Sequence, residues 1–172
     1  NKPPNGATVP TDLIIELLKT IPNVKYLKEE SEYPGHIVTK VIKDSGKYCE
    51  AIMGGMGGRF LLDEFRRGAT GTMPAGHFTD LQVKLWTALE LGKRNEDGTR
   101  EITEEARRLW QVLLPSLNFE FMFGVTAYKL VFWKRGIIAS PFTRIPNRRP
   151  FDNNDMIELE EILKNMDSEL AS

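Results

Sequence analysis

One cysteine, two histidines and no long apolar run set the first limits on this 172-residue chain. Cys49 alone closes no intrachain disulfide, which fits a reducing compartment and leaves only a bridge to another chain as the alternative. No stretch approaches the roughly 20 apolar residues of a membrane span, and no basic segment followed by an apolar one opens the chain. A cytoplasmic protein without a membrane partner is the expectation. Charge of either sign is in no excess: the formal net charge is -1, so bulk electrostatics make no case for nucleic acid or for an acidic substrate. Metal-ligand spacings of Cys and His are missing, as is a Gly-x-Ser-x-Gly elbow. No metal or other cofactor is expected. An initiating Met is absent too; the chain opens on "NKPPNGATVP", a loop that reads as the middle of something longer.

What is present is an alternation of helical and extended patterns. Thr11 is placed to cap a helix carrying Leu13, Ile14, Leu17 and Leu18, stopped by Pro22. "VKYLKEES" then reads as a strand ending near Lys28. "GHIVTKVIKDSG" reads as a helix with Ile37, Val38, Val41 and Ile42 on one side and Gly46 as its stop. A second strand is expected at 48–54, a helix of about three turns in "RFLLDEFRRG", a third strand in "ATGTM", and a helix from Thr79 to Gly92. That order is the mark of parallel βα units, although three strands are few for such a sheet. From Gly92 onward the pattern becomes all-helical: 103–123 with Pro115 inside it, about 125–135, and a last helix from about Asn154. The division drawn is 1–92 for the βα units and 93–172 for a helical extension. Phe119, Phe121, Met122, Phe123, Tyr128, Phe132 and Trp133 make a dense aromatic stretch suited both to a core and to a subunit interface. Arg144, Arg148 and Arg149 form a local basic patch that reads as a solvated connection.

Three features carry chemistry. Lys28 ends its strand where parallel α/β folds bind ligands, and alternation puts it on one face with Val24 and Tyr26. Apolar neighbours strip hydration from an amine and make it easier to deprotonate, as a Schiff-base nucleophile requires. The alternative is a lysine that reaches solvent or pairs with Glu29, Glu30 or a carboxylate elsewhere. "GGMGG", Gly54 to Gly58, ends the next strand and lets the backbone approach a ligand just before a helix, or makes nothing more than a tight turn; it matches neither the dinucleotide fingerprint nor the P-loop. In "GATGTMPAGH", Thr70 and Thr72 alternate with Gly71 and Met73, so hydroxyls or small apolar groups face the pocket according to register. His77 follows in a loop, either as a proton-transfer group or as an ordinary surface residue. Cys49 reads as a small buried hydrophobe.

The succession "NKPPNGATVP", "NVKYLKEES", "AIMGG", "GATGTMPAG" and several closing helices resembles the C-terminal half of the dihydrodipicolinate synthase and N-acetylneuraminate lyase family. The resemblance implies an α/β fold: the C-terminal half of a (β/α)8 barrel with a helical extension. Lys28 in "YLKEE" matches the family's imine-forming lysine near the end of the sixth strand. Within the family, "GATGTMPAG" and "LLPSLNFEFMFGVTAYKLVFWKRGII" are most similar to the 2-keto-3-deoxy sugar-acid dehydratases, above all the one acting on L-2-keto-3-deoxyarabonate. The implied activity is dehydration of such an acid through a lysine imine, with Lys28 catalytic and Gly54, Gly55, Thr72 and His77 on the substrate. An aldolase of the same family and a non-catalytic anion-binding module are the alternatives. Where the lyases carry acidic residues after the seventh-strand glycine, this chain has Met56, Gly57 and Gly58. The family's fifth-strand tyrosine and its carboxylate-binding Gly-Thr-Thr motif would precede Asn1, so the N-terminal half of the barrel is an expected partner. A dimer of dimers is implied as well.

Overall fold

The computed structural model describes residues 9–144 and 150–170. The opening loop before Val9 and the Arg148–Arg149 part of the basic connection lie outside the described residues. Two compact units form. One holds the described residues up to Pro74 together with Ala88–Glu104; the other holds Ala75–Thr87 together with the described residues from Glu105 on.

In the first unit, helix α1 (Thr11–Thr20) leads to strand β1 (Tyr26–Glu29), helix α2 (Pro34–Ser45), strand β2 (Ala51–Gly54), helix α3 (Leu61–Arg66) and strand β3 (Gly71–Thr72). The strands make one parallel sheet in the order β1-β2-β3. Parallel pairing of consecutive strands needs a crossover, and α2 and α3 supply it. Alternation along β1 and β2 sends Leu27 and Ile52 to the helix side, where they join Ile15 and Leu18 of α1, Val38 and Val41 of α2, and Ala69. Val38 and Val41 are fully buried. The apolar stripe of α1 is turned slightly from the expected one: Ile15 and Leu18 are buried while Leu13 stays exposed.

Several boundaries differ from those the sequence pattern suggests, and glycines account for most of them. The second strand begins at Ala51 rather than residue 48, because Gly46 at φ 54° opens a 3-10 turn through Tyr48. α3 has one and a half turns, not three; Met56–Gly58 is a separate 3-10 turn with Gly57 at φ 70° and Gly58 at φ 93°. The regular part of the third strand is only Gly71–Thr72, although Thr70 N–H to Ile52 O (2.8 Å) and Met73 N–H to Gly54 O (2.9 Å) continue the ladder at both ends. Thr11 does not cap α1: it lies inside the helix, and Pro10 occupies the cap position.

In the second unit the leading residues of α4 (Thr79–Glu90) accompany α5 (Glu104–Phe123), α6 (Val125–Lys134) and α7 (Asn153–Met166). α5 runs through Pro115, and Asp152 caps α7 with its carboxylate on the amides of Asn154 and Asp155. The aromatic stretch divides: Phe119 is buried and stacks on Phe151, whereas Phe121, Met122 and Trp133 are exposed. No helix among the described residues is long and apolar enough to cross a membrane.

Candidate functional site

The pairing register sorts the strand residues into two faces. Tyr26 pairs with Ala51, Lys28 with Met53, and Met53 with Gly71, so these five share the face opposite the helices. A Cβ added to Gly71 would sit 3.1 Å from Met53 Cγ, as expected of neighbours on one side. This face is open: Tyr26 is 61 % exposed, and Met73, just beyond β3, 46 %. Val24 is not on it. The chain turns at Ile21–Val24 before β1 starts, and Val24 packs with the helix-side core.

Lys28 therefore stands near the C-terminal end of β1 on the uncovered face. Its Nζ lies 3.0 Å from Glu30 Oε1, with the lysine side chain 37 % and the glutamate 14 % exposed. Of the two acids proposed as partners from sequence, Glu30 holds this role and Glu29 does not. Glu29 is buried on the helix side and accepts the Ser31 N–H at 2.7 Å. Glu30 Oε1 also accepts the Met56 N–H at 3.1 Å. Burial alone would raise the Glu30 pKa; the Met56 amide and the Lys28 ammonium outweigh it and hold the carboxyl below its ordinary range.

Gly54 and Gly55 do approach something closely, but it is the chain's own carboxylates. A Cβ on Gly54 would fall 1.9 Å from Glu64 Oε2, and one on Gly55 would fall 2.1 Å from Glu30 Cγ. The missing side chains make room for two acids, one on each side of the strand end. Glu64, on α3, is fully buried and neither of its oxygens has a hydrogen-bond partner. Burial first, then the charges of Asp63, Glu29 and Glu30, push its pKa up to about 7. The sequence reading missed it. The available signal was its place on the apolar stripe of Leu61 and Phe65, three residues after one and one before the other.

The other residues expected on substrate fall elsewhere. Thr72 pairs with Gly54 and so faces the helices; its hydroxyl is buried there without a partner, pointing away from the face of Lys28. Thr70 shares that side and bonds the backbone of Ile52. Gly71 and Met73 are the ones that line the open face. His77 is not a loop residue offered to solvent. It sits in a 3-10 turn of the second unit, 1 % exposed, with Nε2 2.6 Å from Glu120 Oε1 and its ring stacked on Tyr128 at 5.0 Å. Its carbonyl accepts from Arg135, which also binds Asp80. Thr72 thus does not share the Lys28 face, and His77 is packed and paired within its own unit. Cys49 is partly buried, and burial pushes its thiol up despite the Ala51 and Ser45 contacts, as befits a packing residue.

An apolar cleft of about 380 Å3 runs along the free edge of β1, lined by α1, Leu27, Glu29 and Ile37 among others. Lys28 does not line it, although Tyr26 of the same face does. Among the described residues no group of three or more His, Cys, Asp or Glu is arranged to hold a metal ion.

No family model and no curated protein sequence matches the chain. Solved structures do. The chain is similar to dihydrodipicolinate synthase from Rhodopseudomonas palustris, with 25 % identity, a TM-score of 0.71, and coverage of 88 % of this chain and 50 % of that one. It is similar in fold to dihydrodipicolinate synthase from Aquifex aeolicus, with 18 % identity, a TM-score of 0.71, and coverage of 94 % and 52 %. The chain thus spans about half the length of the solved structures it matches.

Proposed function

We propose that this chain is the C-terminal part of a (β/α)8-barrel lyase that works through an imine on Lys28, with residues 1–92 as barrel units and 93–172 as the helical extension. The observation that carries the reading is the Lys28 amine at the C-terminal end of a parallel strand, on the sheet face the helices leave uncovered. An open face bearing Tyr26, Met53 and Met73, beside a β1 edge that no described strand pairs, needs covering. The N-terminal half of the barrel is the partner that would close it. Half-length coverage of the barrel enzymes it resembles supports the same picture.

The substrate is a 2-keto acid, best a 2-keto-3-deoxy sugar acid such as L-2-keto-3-deoxyarabonate. The Lys28 nitrogen attacks the C2 ketone, water leaves, and the protonated imine draws electrons from C3. Loss of a C3 proton gives the enamine, which expels the C4 hydroxyl as water. The conjugated iminium so formed isomerises: protons leave C5 and its hydroxyl and are regained at C3 and C4, so that the C5 alcohol becomes an aldehyde. Hydrolysis of the imine then frees Lys28 and, for that substrate, releases 2-ketoglutarate semialdehyde. Gly55 contributes by making room for the Glu30 carboxylate beside the lysine, and Gly54 by making room for Glu64 on the helix side. Exposed Phe121, Met122 and Trp133 suit the subunit contacts of a dimer of dimers.

A second reading keeps the imine and changes the bond: carbon–carbon cleavage or formation with pyruvate. The likeness to dihydrodipicolinate synthase at 25 % identity favours it. Product analysis with 2-keto-3-deoxy acids separates the two, since the semialdehyde marks dehydration and pyruvate marks cleavage. Borohydride reduction in the presence of either substrate must leave a stable adduct on the full-length protein. A folded, complete barrel that forms none would refute the imine.

A further inference from the structure

Glu30 is held by more than its lysine. Its carboxylate spans the Lys28 ammonium at 3.0 Å and the Met56 N–H at 3.1 Å, and its Cγ rests where a side chain on Gly55 would be. Met56 is the one non-glycine residue among the described ones with a positive φ, 52°, a conformation unfavourable for methionine. A surface ion pair between two free side chains has no such scaffold. Here a bare glycine, a strained amide and strand alternation all converge on one carboxylate, and alternation places residues 28 and 30 on the same side.

We infer that Glu30 is the counter-ion of the imine on Lys28, a positioning residue that keeps the nitrogen protonated and aimed after the substrate has bonded. The inference rests on the proposed imine chemistry. In forming the imine, the neutral amine's lone pair makes the bond to the carbonyl carbon. The carbonyl oxygen takes one proton from the nitrogen and one from solvent and departs as water. One hydrogen stays on the now cationic nitrogen, and Glu30 Oε1 is already within reach to accept its hydrogen bond. The anion therefore favours the charged form of the imine nitrogen. The other acids near this strand end, Glu29 on β1 and Glu64 on α3, lie on the helix side, where Glu64 feels the charge of Glu30.

The test is the rate of cyanoborohydride-trapped adduct formation with pyruvate across pH, in the full-length protein and its Glu30→Gln variant. Gln keeps the shape against Gly55 and an oxygen for the Met56 amide, and loses only the charge. The alkaline limb of the profile, where the reducible iminium gives up its proton, is expected to move to lower pH by about one unit, since the iminium loses its stabilising anion. Glu30→Asp should restore part of the shift. An alkaline limb that stays in place, whatever the height of the profile, overturns the counter-ion. Absence of any adduct in the unsubstituted protein would instead refute the imine reading itself, so the two failures are distinct.

Discussion

The two sides of the Gly54–Gly55 ridge carry the same side chain in opposite states. On the Lys28 side, Glu30 has a cation, an amide and a pKa held below the ordinary range. On the helix side, Glu64 has no partner, full burial and a pKa of about 7. Two adjacent glycines admit both acids, and the difference between them comes wholly from what each meets. A carboxylate with a partner is a device for placing charge; one without a partner is a stored cost that the fold tolerates by keeping it protonated.

Lys28→Arg breaks the comparison hardest. It preserves a cation for Glu30 and removes the nucleophile, so adduct formation and turnover should drop at least about a thousandfold while the thermal midpoint changes little. Glu64→Gln addresses the other side through stability. The folded pKa of Glu64 lies above that of the unfolded chain, so the native state holds a proton the unfolded state releases. Its burden is absent below about pH 4.5, grows as pH rises through that value, and is complete above about 7. Glu64→Gln should match the parent near pH 4.5 and exceed it by roughly 3 kcal/mol at pH 8 in urea melts. Equal stabilities at both pH values would contradict the raised pKa.

Smaller effects sharpen the picture. Gly55→Ala forces the Glu30 stem aside and should cost about 1–2 kcal/mol, with a shift of the adduct pH profile in the same direction as Glu30→Gln. Glu50→Gln is the control at the bottom of the scale. Glu50 pairs with exposed Lys25 and accepts from Tyr26 at 2.9 Å, so its removal should leave both the midpoint and the profile where they were.

How much of this was legible depends on how local each cause is. The order of helices and strands followed from periodicity, and the side taken by Tyr26 and Lys28 followed from alternation, both properties of a few neighbouring residues. Val24 went to the other side because the turn before β1 interrupts the alternation, which a pattern of apolar residues does not reveal. The short α3 and late β2 trace to glycines at positive φ, a choice the backbone makes only in context. Thr72 and His77 show the larger gap. Whether Thr72 faces ligand or helix depends on pairing with β2, and whether His77 is exposed depends on Glu120 and Tyr128, some forty residues away or more in sequence. Glu64 was only faintly legible for a related reason: its place between Leu61 and Phe65 hints at burial, but an acid on a short helix normally faces water, and the Gly54 backbone supplies the room it fills.

The central claim concerns one nitrogen. Peptide mapping of the full-length protein after borohydride reduction with a 2-keto-3-deoxy acid locates it. The mass increase of the reduced adduct should fall on the peptide containing Tyr26–Glu29, at Lys28, and vanish in Lys28→Arg. An adduct mapped to any other lysine, or one that persists in Lys28→Arg, would contradict the account.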